Sequence, residues 1–401
     1  MHNSTLRLAR QGLLALSLSL LGCGETETVA DVGTTDTRAT PIDARTLDAP
    51  GAALDAPTAD ATGLDATGLD AATVTSDAAV TADAGSPADL PWVGGVNLAG
   101  AEFAGSTIPG VHGMTYVYPS TAHADHFIDA GMRVFRIPFR WRRLQPTANG
   151  PLDMAELGRL RALTSHITGR GAYVILNPHD YARREGAIVG SPELPNAVLA
   201  NLWTRLAGEF SADSHVWFGL MNEPYGLPAA QWLLAVNASI ASIRDAGATN
   251  LILVPGVRWT GAHSWLAGGE GSNGAVMSGV VDPADHFAFE LHQYLDSDSS
   301  GTREAGECVR ASVGRDRLVA ATDWMRMHGY RAFLGEFAGG NTTTCRAAIT
   351  EMLAYMQTND DVWFGYTWWA AGPWWGSYMF SIAPRADGSD APQQAWLEPY
   401  F

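Results

Sequence analysis

Two short apolar runs in this 401-residue chain each end on a glutamate. His215-Val-Trp-Phe-Gly-Leu-Met221 leads into Asn222-Glu223-Pro224, and Arg331-Ala-Phe-Leu334 leads into Gly335-Glu336-Phe337. A carboxylate at the end of a buried strand is costly to desolvate, so it needs partners or a chemical task. Two of them facing one pocket are the equipment for cleaving a glycosidic bond: one protonates the leaving oxygen while the other attacks the anomeric carbon. Other apolar runs carry or end on Arg136, His179-Asp180-Tyr181, His292 with Tyr294, and Trp368-Trp369. One histidine or tyrosine in such a place is usually structural. So many ionisable groups at one rim would be expensive to bury without a use.

Strands must hold these residues. Runs enriched in β-branched and aromatic residues cover Trp92–Ala99, Met132–Phe139, Ala172–Pro178, Val216–Asn222, Leu251–Gly256, Phe287–Tyr294, Ala332–Phe337 and Val362–Trp369. Most are nearly continuous in apolar character, as strands buried on both faces should be. Helical periodicity lies between them, over Asp153–Gly171, Leu194–Phe210, Trp232–Gly247, Asp316–Gly329 and Thr344–Asn359. Met154, Leu157, Leu160, Leu163 and Ile167 share one face of the first of these. Eight strands alternating with helices, and no glycine fingerprint for a dinucleotide, predict an α/β fold closed as a (β/α)8 TIM barrel. Catalytic groups on such a barrel sit at the C-terminal strand ends.

The chain resembles glycoside hydrolase family five, and especially its branch of secreted β-1,4-endoglucanases. The matching stretches are Gly94-Gly-Val-Asn-Leu-Ala-Gly100, Phe135-Arg-Ile-Pro138, His179-Asp-Tyr-Ala-Arg183 and Val216-Trp-Phe-Gly-Leu-Met-Asn-Glu-Pro224. They continue through His292-Gln-Tyr-Leu-Asp-Ser-Asp-Ser-Ser-Gly-Thr302, Gly335-Glu-Phe-Ala-Gly-Gly340 and Gly365-Tyr-Thr-Trp-Trp369. The resemblance implies an endo-acting, retaining hydrolase of internal β-1,4-glucosidic bonds, with Glu223 as general acid/base and Glu336 as nucleophile. It implies Asn222 as ligand of the sugar 2-hydroxyl, His179 and His292 as lining of the cleavage subsite, and Trp369 rather than Trp368 as the sugar platform. An ionised nucleophile wants Arg136 and the Tyr294 hydroxyl beside it, lowering its pKa. Retention places the two carboxyl groups about 5–5.5 Å apart. Asp180 departs from the asparagine common in relatives, and is expected either to alter pH dependence or to be solvated.

Fourteen tryptophans are many for this length, and Trp259, Trp265, Trp374 and Trp375 fall in predicted loops where an indole face can stack on a pyranose ring. Trp259 and Trp374 are the favoured substrate platforms, while Trp203, Trp217 and Trp232 read as core. Rival readings are a β-mannanase, a xyloglucan or mixed-linkage glucan hydrolase of the same family, or a non-catalytic glycan-binding surface lipoprotein. The last typically loses one of the two glutamates, and both are present here.

Arg7 and Arg10 precede an apolar run from Gly12 to Leu21 that is too short to span a bilayer and has the length of a signal core. It ends Leu20-Leu21-Gly22-Cys23, similar to a lipoprotein signal box; the resemblance implies residues 1–22 as signal peptide and acylation at Cys23. Residues 23–90 are rich in Ala, Asp, Thr and Gly, and Leu-Asp-Ala recurs. From Gly24 to Leu90 there are thirteen Asp and Glu against Arg38 and Arg45, a net of −11 within the chain's −17. Such a segment is expected to stay a disordered, self-repelling acidic tether ahead of a catalytic domain at 91–401. The acidity and the absence of lysine argue against nucleic acid as a partner. Export is therefore expected, to the cell surface or outer membrane as a lipoprotein, or as secreted protein. The domain is expected to be a monomer that touches membrane only through the lipid. Cys308 and Cys345, the remaining cysteines, most simply form a disulfide in an exported protein, with a metal site as the weaker rival. No cofactor or metal is implied.

Overall fold

The computed structural model describes residues 90–303 and 306–401; the expected signal peptide, Cys23 and nearly all of the expected tether lie outside them. Eight parallel strands close into a barrel: β1 (Val93–Leu98), β2 (Val134–Phe139), β3 (Tyr173–Pro178), β4 (Val216–Gly219), β5 (Ile252–Pro255), β6 (Phe287–His292), β7 (Ala332–Glu336) and β8 (Trp363–Ala371). Each strand pairs with its sequence neighbours, and β8 closes on β1. This is the (β/α)8 barrel that the strand–helix alternation predicts.

Helices cover the outside at Thr121–Asp129, Met154–Gly169, Asn196–Phe210, Ala229–Asp245, Val313–His328 and Thr343–Thr358. Their ends follow local chemistry. The Asp153 carboxylate accepts from the backbone of Ala155 and Glu156, Thr342 caps Thr343–Thr358 by accepting from Cys345 N, and Gly329 closes Val313–His328 at φ 72°. Met154 departs from its expected face: at the first turn it points outward and is exposed. The alternation also fails after β5, where short turns from Ala262 to Gly279 replace a full helix.

Strand alternation divides the buried residues into two cores. Val93, Val134, Ile175, Trp217, Leu251, Leu253, Ala288, Phe333 and Phe364 fill the barrel interior. A larger cluster, with Trp203 and Trp232, joins strands to helices. The interior is thus packed solid below, and the next inward positions toward the C-terminal ends are polar: Asn97, Arg136 and Glu290, all completely buried. Cys308 and Cys345 are bonded, as expected, tying the loop after β6 to the helix after β7. Among the described residues, no helix is long and apolar enough to cross a membrane.

Candidate active site

The site is assembled by strand register. Arg136 pairs with Asn97 across β1–β2, and His292 with Glu336 across β6–β7. Arg136 is the hub. It donates through Nη1 to Asn97 at 2.9 Å and to Glu336 Oε1 at 2.8 Å, and through Nη2 to Asn222 Oδ1 at 2.7 Å; its Nε lies 2.8 Å from Glu290. Tyr294 donates its hydroxyl to the second oxygen of Glu336 at 2.9 Å. Asn222 Nδ2 lies 3.2 Å from His179 Nε2, so its amide is oriented from both ends.

Glu223 follows β4 with φ 43°, a left-handed conformation that costs about 1–3 kcal/mol for a residue with a side chain. Asn222 N, bonded to Pro178 O, and Pro224 O, accepting from Trp259 N, hold that turn from both sides. The conformation delivers the Glu223 carboxylate to His292 Nδ1 at 2.7 Å. Oxygens of Glu223 and Glu336 and a nitrogen of His292 all lie within 4.8 Å of one another. The same three residues could in principle ligate a cation. His292 Nε2 also lies 3.2 Å from Glu290, so each ring nitrogen faces a carboxylate.

Electrostatics correct one expectation. Arg136 and Tyr294 do sit on Glu336, but its carboxyl is not lowered. Burial pushes it up to about 7, Glu223 adds to the rise, and His292, Arg136 and Tyr294 pull back only in part. His292 is opposite in character. Burial disfavours its charge, yet Glu336, Glu223 and Glu290 outweigh burial and raise it to about 9. His179, buried near Arg140, Arg136 and His292, is held well below the ordinary range and stays neutral. Asp180 is not solvated: it accepts from Trp141 N at 2.7 Å, and burial raises its pKa.

The pair opens into a cavity of about 600 Å³ that also reaches His179, Tyr181, Trp259 and His263. Trp259 is 47% exposed and lies flat on Tyr225 at 5.0 Å, and the Arg183 guanidinium lies 3.8 Å from the centre of that tyrosine ring. Arg258, Trp259 and Thr260 all have positive φ, and the Thr260 hydroxyl clamps this strained turn to Gly256 N and Glu290 O. Trp369 stacks on His179 at 5.4 Å and is only 3% exposed. Trp368 faces the other way, bonded to Phe380 O within the outer core.

Trp374 is not brought to this cavity. It lies 42% exposed on a separate one of about 480 Å³, with Trp375, Tyr378 and Arg385. Trp265 is completely buried against Phe289 and Trp324, so the loop it occupies is folded back as core. Sequence reasoning missed Glu290, Asn97 and Tyr225. The first two had a signal: both fall on the inward face of apolar strands, two residues from His292 and Gly95 respectively.

The family model for cellulase (glycosyl hydrolase family 5) matches residues 96–372, most of the chain and nearly all of the barrel. The chain belongs to glycosyl hydrolase family 5. This family 5 chain is 38% identical over 326 residues to the probable endo-beta-1,4-glucanase B of Neosartorya fischeri, covering 81% of itself and 95% of that relative. It is 39% identical over 312 residues to endo-beta-1,4-glucanase A of Emericella nidulans, covering 77% and 92%. The solved endo-beta-1,4-glucanase of Xanthomonas axonopodis pv. citri superposes with a TM-score of 0.75 at 47% identity, over 77% of this chain and 98% of that one. XacCel5A in complex with cellopentaose gives 0.76 at 46%, over 78% and 99%.

Proposed function

We propose that the chain is an endo-acting β-1,4-glucanase that cleaves internal bonds of cellulose or a related β-glucan with retention of configuration. The observation that carries this reading is the convergence of Glu223 and Glu336, with oxygens within 4.8 Å, on one open cavity. That spacing supports direct attack by a carboxylate, since inverting pairs stand about 6.5–9.5 Å apart to admit a water. The names of the relatives, one bound to cellopentaose, support a β-glucan substrate.

In this reading a glucan chain lies along the cavity with one ring over Glu336. An oxygen of ionised Glu336 attacks the anomeric carbon as the glycosidic bond breaks, and Glu223 gives its proton to the departing oxygen. The product is a glycosyl ester on Glu336. Glu223, now a carboxylate, takes a proton from water, whose oxygen bonds to the same carbon and releases Glu336. Arg136 and Tyr294 hold the nucleophile's oxygens in place, Asn222 is set by Arg136 and His179 to meet the 2-hydroxyl, and Trp369 and Trp259 offer ring faces.

We propose further that residues 1–22 are a signal peptide, that Cys23 is acylated, and that residues 23–90 form an acidic tether. The barrel is then exported as a monomer, joined to membrane only by the lipid. A 2-deoxy-2-fluorocellobioside tests the chemistry: it should trap one glycosyl ester, found on Glu336 by peptide mass spectrometry. A label elsewhere overturns the assignment. Faster cleavage of galactomannan or xyloglucan than of carboxymethylcellulose would overturn the substrate.

A further inference from the structure

Beneath the catalytic pair sits a third carboxylate that double displacement does not use. Glu290 lies on β6 two residues before His292, so strand alternation aims both into the barrel. It is completely buried and is not among the residues lining the cavity. Its Oε1 stands 2.8 Å from Arg136 Nε and 3.2 Å from His292 Nε2. Two glycines make room for it. A Cβ on Gly335 would fall 2.3 Å from Glu290 Oε1, and one on Gly219 would fall 3.3 Å from Oε2. A charge this deep is costly unless paired, and its partners here are the two cations that touch the reacting carboxylates.

We propose that Glu290 is a positioning residue: by accepting the Nε2 proton of His292 it keeps that ring doubly protonated, so that Nδ1–H is presented to Glu223 and Glu336. This rests on the reading of those two as acid/base and nucleophile. The titratable and charged groups around His292 are Glu223 at 2.7 Å, Glu336 at 3.7 Å with its donors Arg136 and Tyr294, neutral His179, and Glu290. Arg136 and His292 supply two positive charges. Glu290 and one member of the pair supply two negative charges, and the other member holds a proton. That is the protonation state in which attack begins. Without Glu290 the same state carries an uncompensated positive charge beside the fully buried Arg136, so the cluster sheds a proton at lower pH. The raised pKa of His292 agrees with the geometry.

Glu290→Gln keeps the shape and removes the charge; Glu290→Asp keeps the charge. The full chain labelled with 15N-histidine gives a readout independent of turnover. Wild-type His292 should show protons on both nitrogens at pH 7, and in Glu290→Gln it should titrate about 1–3 units lower. Both limbs of the kcat/KM profile on a soluble β-glucan should move to lower pH in Glu290→Gln and stay in place in Glu290→Asp. The idea is overturned if wild-type His292 carries one proton at pH 7. It is also overturned if Glu290→Gln and Glu290→Asp lower kcat alike at every pH with no shift in either limb. Failure of the wild-type chain to cleave any β-glucan would sink the functional reading instead, and the His292 titration would still decide this one.

Discussion

Tyr294 donates its hydroxyl to one oxygen of Glu336 at 2.9 Å, while the opposite oxygen belongs to Arg136. Burial and the neighbouring carboxylate hold the tyrosine proton well beyond the ordinary range, so the hydroxyl remains a donor at any working pH. A hydrogen bond to a charged group contributes about 1.5–3 kcal/mol. Tyr294→Phe should therefore lower kcat/KM by roughly one to two orders of magnitude. Loss of the donor also raises Glu336 further, so the acid limb of the profile should move to higher pH. An unchanged acid limb would show that the bond does not reach the nucleophile's ionised form.

Glu223 is placed to give a proton to the leaving oxygen, a service that matters least when the leaving group is already acidic. Glu223→Ala should lose about 10²–10⁴ in kcat on cellulose-type substrates. It should still form the glycosyl ester from an activated aryl cellobioside, and added azide should then yield a β-configured glycosyl azide. An α-configured azide would contradict the retaining order of events.

The buried cluster also predicts how stability changes with pH. Glu336 is raised from 4.5 to about 7 and His292 from 6.5 to about 9. A raised folded pKa means the native state holds its proton more tightly than the unfolded chain does. The Glu336 contribution is thus fully favourable below about 4.5 and lost as pH rises to 7; that of His292 is full below 6.5 and lost through 9. The melting temperature should fall from pH 5 toward pH 9. Glu336→Gln should flatten the part below pH 7, which calorimetry across that range would show. A wild-type curve that rises from pH 5 to 7 while the variant's stays flat would refute the assignment.

Trp259 and Trp374 were equal candidates for sugar platforms, but only Trp259 faces the cavity of the catalytic pair. Trp259→Ala should raise KM for cellopentaose about tenfold, on the scale of a lost ring stack, and leave kcat on a short aryl cellobioside within about twofold. Trp374→Ala should change either value less. Equal effects from both would mean that the substrate spans the two cavities.

The disulfide closes a separation of 37 residues. On the chain-entropy model that constraint contributes about 4 kcal/mol, an upper figure for real proteins. Cys308→Ser with Cys345→Ser should lower the melting temperature by several degrees and leave the pH profile of kcat/KM unmoved, because neither cysteine lines the cavity of Glu223 and Glu336.

The barrel and the two glutamates were legible because parallel strands buried on both faces write themselves as unbroken apolar runs. A polar residue at the end of such a run stands out, as Glu223, His179 and Glu336 do. Glu290 and Asn97 were overlooked for the converse reason. Each is embedded within a run, where only the inward or outward phase of the strand tells a site residue from a defect. A loop position alone does not separate a core tryptophan from a platform; the turns after β5 fold the Trp265 indole onto Phe289.

Residue order alone determined the strand count, the acidic tether's composition, the cysteine pair and the identity of the carboxylates at the rim; these depend on local pattern and cross no gap in space. The tertiary structure decided what those groups are to one another. It set Arg136 among four partners, gave His292 a carboxylate on each nitrogen, and placed Trp259 and Trp374 on different cavities. It also buried Glu336 deeply enough to outweigh the lowering that Arg136 and Tyr294 provide. Desolvation and Coulomb energies vary with depth and distance between residues up to two hundred positions apart along the chain, and no spacing in a sequence encodes a depth.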